Sequence, residues 1–214
     1  MLVAKLPRGN DSDYYEATRV LLERAYLGAD DPRGGSGFRG DEERWERARR
    51  PILSAVDRDG TYLDVGCANG LLMESVAAWG AEGGYRVEPY GLDLIEPLAA
   101  LARRRLPHWA DRIFTGNVMD WRSPLRFDFV RTELEYVPRH RRSELVERQL
   151  REYLVPGGRL IFCSYGSSRR YAPTAEPVGN VLRDWGYEVT GEAEGIDTNG
   201  AILTHVAWTD LSEA

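Results

Sequence analysis

The chain is poor in the residues that bind metals or form disulfides, with two cysteines and three histidines among 214 residues. Neither type shows the spacing of a zinc site, and two isolated cysteines do not form a disulfide framework. We interpret Cys67 and Cys163 as small buried residues, because each lies in or beside an apolar, strand-like stretch. We therefore predict that the protein holds no metal ion.

Long apolar runs are also missing from the sequence. No stretch approaches the roughly 18 to 20 apolar residues of a membrane-spanning helix, and residues 1–5 lack the core of a signal peptide. The net charge of −6 lacks the excess of lysine and arginine that binding to a phosphate backbone requires. We predict a cytoplasmic protein without a membrane partner, and a nucleic-acid partner is disfavoured.

The most informative stretch is residues 62–72, an apolar strand that runs through a glycine-rich turn into a helix. Gly66 and Gly70 allow a tight turn and the close approach of a ligand, and Asp64 places a carboxylate near the end of the strand. A dinucleotide-binding pattern would need glycine where the chain has Ala68 and Leu71. A P-loop is excluded because no Lys-Ser or Lys-Thr pair follows Gly70.

Further strands and helices alternate after this turn. The pattern predicts helices over 71–79, ended by Gly80, over 97–105, from Pro138 onward, and over 176–185. It predicts strands over 86–94, 113–114, 127–130 and 159–165, the last preceded by the turn Pro156-Gly157-Gly158. Two alternating stretches, 187–190 and 202–208, suit a closing antiparallel pair. Asp93, 27 residues after Gly66, stands where doubly wound folds place the acid that binds ribose.

The pattern Asp64-x-Gly66-x-Ala68-x-Gly70 resembles motif I of the class I S-adenosylmethionine-dependent methyltransferases. The strand ending at Asp93, the turn 116–121, the apolar fourth strand and the Pro-Gly-Gly turn follow in that family's order. The resemblance implies an α/β, doubly wound, mostly parallel seven-stranded sheet with a C-terminal antiparallel strand. Residues 1–57 would form an N-terminal helical cap or lid, and residues 58–214 the cofactor-binding domain.

The implied cofactor is S-adenosylmethionine, with S-adenosylhomocysteine as product. By resemblance, Gly66 and Gly70 admit the methionine part, Asp93 holds the ribose, Asp120 takes the exocyclic amine of adenine and Met119 packs on the ring. Asp64 orients the amino end. The full set of cofactor candidates is Asp64, Gly66, Cys67, Ala68, Gly70, Asp93, Leu94, Asn117, Val118, Met119, Asp120, Arg131 and Thr132.

Charged residues directly after the buried strand 127–130 are unusual. The carboxyl ends of parallel strands face the ligand crevice, so residues 131–137 are expected to face the reacting groups. Glu133 or Glu135 can act as a general base or orient an acceptor, and Tyr136 can form a wall of the pocket. These three are the catalytic candidates. The alternative is that the glutamates are surface acids paired with nearby arginines.

The N-terminal residues predict a helix over 11–27, a glycine-rich loop over 28–40 and a second helix from Asp41. The loop with Phe38, followed by Trp45, is a candidate mobile lid. The alternative is an irregular connection anchored on the core by aromatic residues. Tyr15, Phe38, Trp45 and His140 are the candidates for substrate or lid contacts.

The resemblance implies methyl transfer to an O or N nucleophile, or to C, of a small-molecule acceptor. The chain lacks an Asn-Pro-Pro-Tyr motif at the fourth strand, which disfavours methylation of an exocyclic amine of DNA or RNA. The alternatives are a non-catalytic module that binds S-adenosylmethionine or a nucleotide, an RNA or protein methyltransferase, and an oxidoreductase that uses NAD. The chain is expected to be a monomer or a homodimer.

Overall fold

The computed structural model describes residues 10–166 and 174–212. Its centre is a seven-stranded sheet with the order β3-β2-β1-β4-β5-β7-β6. The strands are β1 (Gly60–Val65), β2 (Val87–Asp93), β3 (Ile113–Thr115), β4 (Phe127–Thr132), β5 (Leu154–Tyr165), β6 (Gly191–Ile196) and β7 (Ile202–Asp210). β1 to β5 pair in parallel, and β7 runs antiparallel to both β5 and β6. The predicted fold class is confirmed.

Helices cover both faces of this sheet, and short 3₁₀ turns connect several of them. The helices are α1 (Asp11–Leu27), α2 (Glu42–Arg49), α3 (Leu71–Glu82), α4 (Glu96–Arg105), α5 (Arg142–Glu152) and α6 (Val178–Asp184). Asp41 caps α2 by accepting a hydrogen bond from Arg44 N at 2.9 Å, as its position in the sequence indicates. Among residues 10–166 and 174–212, no helix is long and apolar enough to cross a membrane.

The core lies in two layers because successive strand residues point to opposite faces of the sheet. Leu160 and Phe162 of β5 pack with α5 and α6 on one face. Ile161 and Cys163 of the same strand pack with α2 and α3 on the other. The second layer also contains Phe38, Trp45, Ile52 and Val56, so the residues that precede β1 contribute to the main core.

Four predicted boundaries were wrong by three residues or more. α3 continues past Gly80 to Glu82, since the missing side chain makes room for Val87; a Cβ atom on Gly80 would lie 2.6 Å from Val87 Cγ2. The strand predicted over 187–190 is instead β6, which runs from Gly191 to Ile196. β6 is an edge strand whose Glu192 and Glu194 are exposed, so its sequence lacks the apolar pattern that would have marked it as a strand. β5 includes the Pro-Gly-Gly turn, as an irregularity in its pairing with β4. α5 begins at Arg142, after a 3₁₀ turn over Arg139–Arg141 that follows Pro138.

Candidate functional site

A cavity of about 540 Å³ opens at the carboxyl ends of the parallel strands. This volume lies within the roughly 300–1,000 Å³ range of small-molecule sites, and doubly wound sheets bind ligands at this edge. Two parts of its wall differ in construction. The turn side consists of residues 66–68, 92–95 and 116–118, which lie at or after the ends of β1, β2 and β3. The network side consists of Arg131, Glu133, Glu135, Tyr136 and Tyr165, which lie at or after the ends of β4 and β5.

The turn side is shaped by the backbone. Gly66 has a φ of 74°, and its N–H donates to Leu92 O at 2.7 Å, while Cys67 N donates to the same oxygen at 3.1 Å. Ala68 has a φ of 48°, in the left-handed region that non-glycine residues adopt at a cost. These bonds tie the turn after β1 to the end of β2 and leave a surface of backbone facing the cavity.

Asp93 holds the turn in place with its side chain. Its Oδ2 accepts from Ala68 N and its Oδ1 from Ile95 N, both at 2.8 Å, and the residue is 6% exposed. Burial raises the pKa of Asp93 to about 6, although the two backbone hydrogen bonds oppose that rise. Each carboxylate oxygen has more than one lone pair, so the group can accept further hydrogen bonds from a ligand in the cavity.

The loop after β3 completes the turn side. Asn117 and Val118 line the cavity, and Asn117 Oδ1 accepts from Met119 N at 2.9 Å, which fixes the loop. Met119 is buried in the core among other apolar residues. Asp120 is exposed and lines a separate surface groove with Arg122, Arg126 and Arg148.

The network side is organised by Arg131, whose side chain is 3% exposed. Its Nη1 donates to Asp64 Oδ1 at 3.2 Å, Val65 O at 3.1 Å and Tyr136 Oη at 2.8 Å. Its Nη2 donates to Tyr165 Oη at 2.9 Å and to Glu133 Oε1. One guanidinium therefore connects the ends of β1, β4 and β5.

Tyr136 joins the two sides of the cavity. Burial raises the pKa of Tyr136 well above its usual value, so its hydroxyl stays protonated and donates to Glu133 Oε1 at 2.6 Å. Its ring lies over the glycine turn, and a Cβ atom on Gly66 would lie 2.5 Å from Tyr136 Cζ. The position of Gly66 therefore requires glycine for two reasons, its positive φ and this close contact.

One carboxylate oxygen and one guanidinium at this site lack polar partners. Asp64 is 1% exposed, and its Oδ2 has no hydrogen-bond partner in residues 10–166 and 174–212. Burial raises the pKa of Asp64 to about 6 against the opposing effect of Arg131. The guanidinium of Arg49 lies 3.5 Å from the ring centroid of Tyr165 and within 5.2 Å of those of Phe38 and Trp45. Within the described part of the chain, the Arg49 guanidinium forms neither a hydrogen bond nor an ion pair.

The N-terminal residues cover the cavity. Thr18, Leu22 and Tyr26 of α1 line it from one direction, and the loop after α1 is attached to the glycine turn, since Asn69 Nδ2 donates to Pro32 O at 2.7 Å. Phe38 and Trp45 pack edge to face with their centroids 5.2 Å apart, and both are core residues that also line the cavity. The aromatic-anchor alternative therefore describes their packing, and movement of this segment stays a prediction.

The cavity brings together most of the predicted site residues. Those that line it are Asp64, Gly66, Cys67, Ala68, Asp93, Leu94, Asn117, Val118, Arg131, Glu133, Glu135, Tyr136, Phe38 and Trp45. The others lie outside it, and Met119 and Asp120 have been described above. Gly70 packs against Leu106, and Thr132 is buried and accepts from Gln149 Nε2 at 3.1 Å. Tyr15 packs edge to face on Tyr14. His140 is exposed, and its Nε2 lies 3.1 Å from Asp11 Oδ1.

The cavity residues that the sequence analysis missed include Tyr26, Arg49 and Tyr165. Arg49 ends α2 in an ordinary stretch of charged residues, and Tyr165 is the last residue of β5. The position of Tyr165 is a signal that could have been used, since the ends of parallel strands face the crevice. Tyr26 and Arg49 have no comparable local signal.

Comparisons with known proteins place this geometry in a structural class. No family model matches the chain, and no curated protein matches it at a significant level. A solved structure similar to it is 1,6-didemethyltoxoflavin-N1-methyltransferase from Burkholderia thailandensis with S-adenosylhomocysteine, at 19% identity and a TM-score of 0.67, covering 96% of this chain and 92% of that one. N-methyltransferase NodS from Bradyrhizobium japonicum is 17% identical with a TM-score of 0.61, over 91% and 98% of the two chains.

A third similar structure is magnesium protoporphyrin IX methyltransferase from Synechocystis with bound S-adenosylmethionine. It is 14% identical, with a TM-score of 0.57, over 94% of each chain. At these identities the similarity establishes the fold. The chain has the Rossmann-like fold of the class I S-adenosylmethionine-dependent methyltransferases.

Proposed function

We propose that the protein is an S-adenosylmethionine-dependent methyltransferase that acts on a small molecule. The observation that carries this proposal is the buried Asp93, whose carboxylate is fixed against the glycine turn inside a cavity of suitable size. The similar structures contain S-adenosylmethionine or its demethylated product, and two are named for small-molecule acceptors.

The turn side fits the nucleoside part of the cofactor. Asp93 offers free lone pairs to the two ribose hydroxyls, and Gly66, Cys67 and Ala68 present backbone without a large side chain. Asn117 and Val118 are placed to contact the adenine, one by a polar side chain and one by apolar packing. These two residues therefore replace Met119 and Asp120 in the assignment.

The two unpartnered groups fit the amino acid part. A buried guanidinium without a counterion is costly, and a carboxylate that arrives beside Arg49 removes that cost. The free Oδ2 of Asp64 is a suitable acceptor for an ammonium group. We assign Arg49 to the α-carboxylate and Asp64 to the α-amino group of the methionine part.

The order of the strands supports a position for the acceptor beside the cofactor. Neighbouring strands are about 4.8 Å apart, so β3 to β4 spans roughly 14 Å and β4 to β7 roughly another 10 Å. A cofactor that lies from β3 past the glycine turn, with its carboxylate at Arg49 beside Tyr165, leaves the rest of the region over β4, β5 and β7 for the acceptor. Glu133, Glu135, Tyr136, Gly166 and Leu203 line that remaining region.

S-adenosylmethionine, when bound, supplies a methyl group that is already activated by its sulfonium centre. The protein therefore contributes by positioning the reactants and by excluding water, without a nucleophilic side chain. The cover formed by α1 and the aromatic residues Phe38 and Trp45 serves the exclusion of water. The network around Arg131 holds Glu133 and Tyr136 in one arrangement beside the reacting groups.

The test is a calorimetric titration of the wild type with S-adenosylmethionine and, separately, with S-adenosylhomocysteine. We expect micromolar binding of both ligands, and loss of at least tenfold in affinity in Asp93→Ala. Asp111→Ala is the matched control, because it removes an exposed aspartate outside the cavity. Failure of a folded wild type to bind either ligand would overturn the proposal, and the nicotinamide cofactors would be titrated next.

A further inference from the structure

The two glutamates that follow β4 occupy different environments. Glu133 lies 18% exposed beside Arg131 and accepts hydrogen bonds from that guanidinium and from Tyr136. The Glu135 carboxylate forms no hydrogen bond or ion pair with any residue in 10–166 or 174–212. Both residues line the cavity. Glu133 is therefore already part of a paired network, whereas Glu135 is free to meet a ligand.

The backbone holds Glu135 in a defined place. It lies in a 3₁₀ turn over Leu134–Tyr136, and its carbonyl oxygen accepts from Tyr14 Oη of α1 at 2.6 Å. The side chain is half-buried. The charged groups around it are Glu133, Arg142 and Glu176, and Arg142 is paired with Glu176 at 3.4 Å. A ligand cation is thus the missing partner of this carboxylate.

The remaining walls of the same region suit an aromatic or apolar body. Tyr136, Tyr165, Phe38 and Trp45 line the cavity, and the guanidinium of Arg49 or Arg131 already lies within 5.9 Å of each of their ring centroids. The Glu135 carboxylate is therefore the group that would bind the positive charge of a ligand. Burial, followed by repulsion from Glu133, raises the pKa of Glu135. A carboxylate with a raised pKa is a better proton acceptor than an ordinary surface glutamate.

We propose that Glu135 binds the acceptor as a protonated amine and is the general base that removes its proton. This inference rests on the proposed methyltransferase function and names the substrate class as a small aromatic or apolar amine. The ammonium group gives its proton to the Glu135 carboxylate and becomes a neutral amine. The nitrogen lone pair forms the new N–C bond to the methyl carbon, the C–S electron pair returns to sulfur, and the Glu135 proton passes to solvent.

The experiment uses three probes of one shape, benzylamine, benzyl alcohol and benzoate, titrated separately into protein saturated with S-adenosylhomocysteine. The first is a cation at neutral pH, the second is neutral and the third is an anion. We expect millimolar binding of benzylamine and at least tenfold weaker binding of the other two. In Glu135→Gln the preference for the amine is expected to disappear, while affinity for S-adenosylhomocysteine stays within twofold.

Glu144→Gln is the matched control, since Glu144 is an exposed carboxylate paired with Arg141 and does not line the cavity. It should keep the preference for benzylamine. The inference is overturned if no probe binds, if benzoate or benzyl alcohol binds as well as the amine, or if Glu135→Gln keeps the preference. Because each titration begins with S-adenosylhomocysteine, a wild type that binds this ligand but shows no amine preference contradicts the amine inference alone.

Discussion

The turn side and the network side of the cavity keep their shapes by different means. On the turn side, Gly66 and Cys67 donate backbone hydrogen bonds to Leu92, and Asp93 accepts from two backbone amides. On the network side, Arg131 donates to five acceptors, four of them side chains. A surface of backbone tolerates changes of side chain as long as its φ angles are allowed. A network around one buried ion depends on that single residue.

This contrast predicts the largest effect at Arg131. Arg131→Leu leaves Asp64 and Glu133 without their cation, and removing one member of a buried ion pair costs about 3–5 kcal/mol. We expect the free energy of unfolding, measured by urea denaturation, to fall by that amount. Arg122→Leu removes an exposed arginine and should change it by less than about 0.5 kcal/mol. Equal stability of the two variants would show that the network does not hold the site together.

Arg49 provides a second test on the network side, because it lies against Tyr165 but is not paired. Arg49→Met keeps the length of the side chain and breaks no hydrogen bond, but it removes the cation–π contacts with Tyr165, Phe38 and Trp45. The free energy of unfolding should therefore fall by about 0.5–2 kcal/mol, less than in Arg131→Leu. Affinity for S-adenosylhomocysteine should fall about ten- to a hundredfold, as expected for loss of a hydrogen bond to a charged group worth about 1.5–3 kcal/mol.

The specificity of that loss is the control. 5′-Methylthioadenosine contains the nucleoside and the sulfur but lacks the amino acid part, so its affinity should be the same in the wild type and in Arg49→Met. An equal loss for both ligands would mean that Arg49 acts on the shape of the cavity and does not bind the carboxylate.

The turn side is better tested by varying the pH, because it contains Asp93. Burial raises the pKa of Asp93 from 3.8 to about 6. Between these values the folded state binds more protons than the unfolded state, so the free energy of unfolding should fall as the pH rises from about 4 to about 6. The slope for one proton is at most about 1.4 kcal/mol per pH unit. The ionised carboxylate is the better acceptor for ribose hydroxyls, so affinity for S-adenosylhomocysteine should rise over the same range.

Asp93→Asn removes one of the two buried aspartates at this site whose pKa is raised to about 6, the other being Asp64. We expect both pH dependences to become shallower in this variant without vanishing. An affinity that weakens as the pH rises from 4 to 6 would contradict a role for the ionised Asp93.

The turn side was also the part of the cavity that could be predicted from the sequence. The chemistry of the turn depends on residues close together in sequence, namely Asp64, Gly66, Gly70 and the acid at the end of the next strand, Asp93. Parallel strands bring such ends to one edge, so their meeting follows from the order of the elements. The same reasoning predicted that residues 131–137 face the crevice, and Arg131, Glu133 and Tyr136 line the cavity.

The sequence could not specify what meets these residues from elsewhere in the chain. Arg49 reaches the cavity because α2 packs on β6 and β7, where Thr204 Oγ1 donates to Ala48 O. Nothing local to residues 42–49 indicates that contact.

The turn after β3 illustrates a different difficulty. Residues 117–120 are adjacent in sequence, yet a tight turn faces Asn117 and Val118 into the cavity, buries Met119 and exposes Asp120.

The smallest effect is expected at Ala68, where the turn side accepts an unfavourable φ. Ala68→Gly relieves a left-handed conformation worth about 1–2 kcal/mol but adds about 0.5–1 kcal/mol of backbone entropy in the unfolded chain. It also removes a methyl group that packs with Ile95 and Leu98, worth about 0.8 kcal/mol. These contributions nearly cancel, so urea denaturation should show a change below about 0.5 kcal/mol.

Ala78→Gly, in the middle of α3 and exposed, has no strain to relieve and should cost about 0.5–1 kcal/mol. If the two variants lose equal stability, Ala68 is not strained, and the backbone hydrogen bonds to Leu92 and Asp93 hold the turn without cost at that residue.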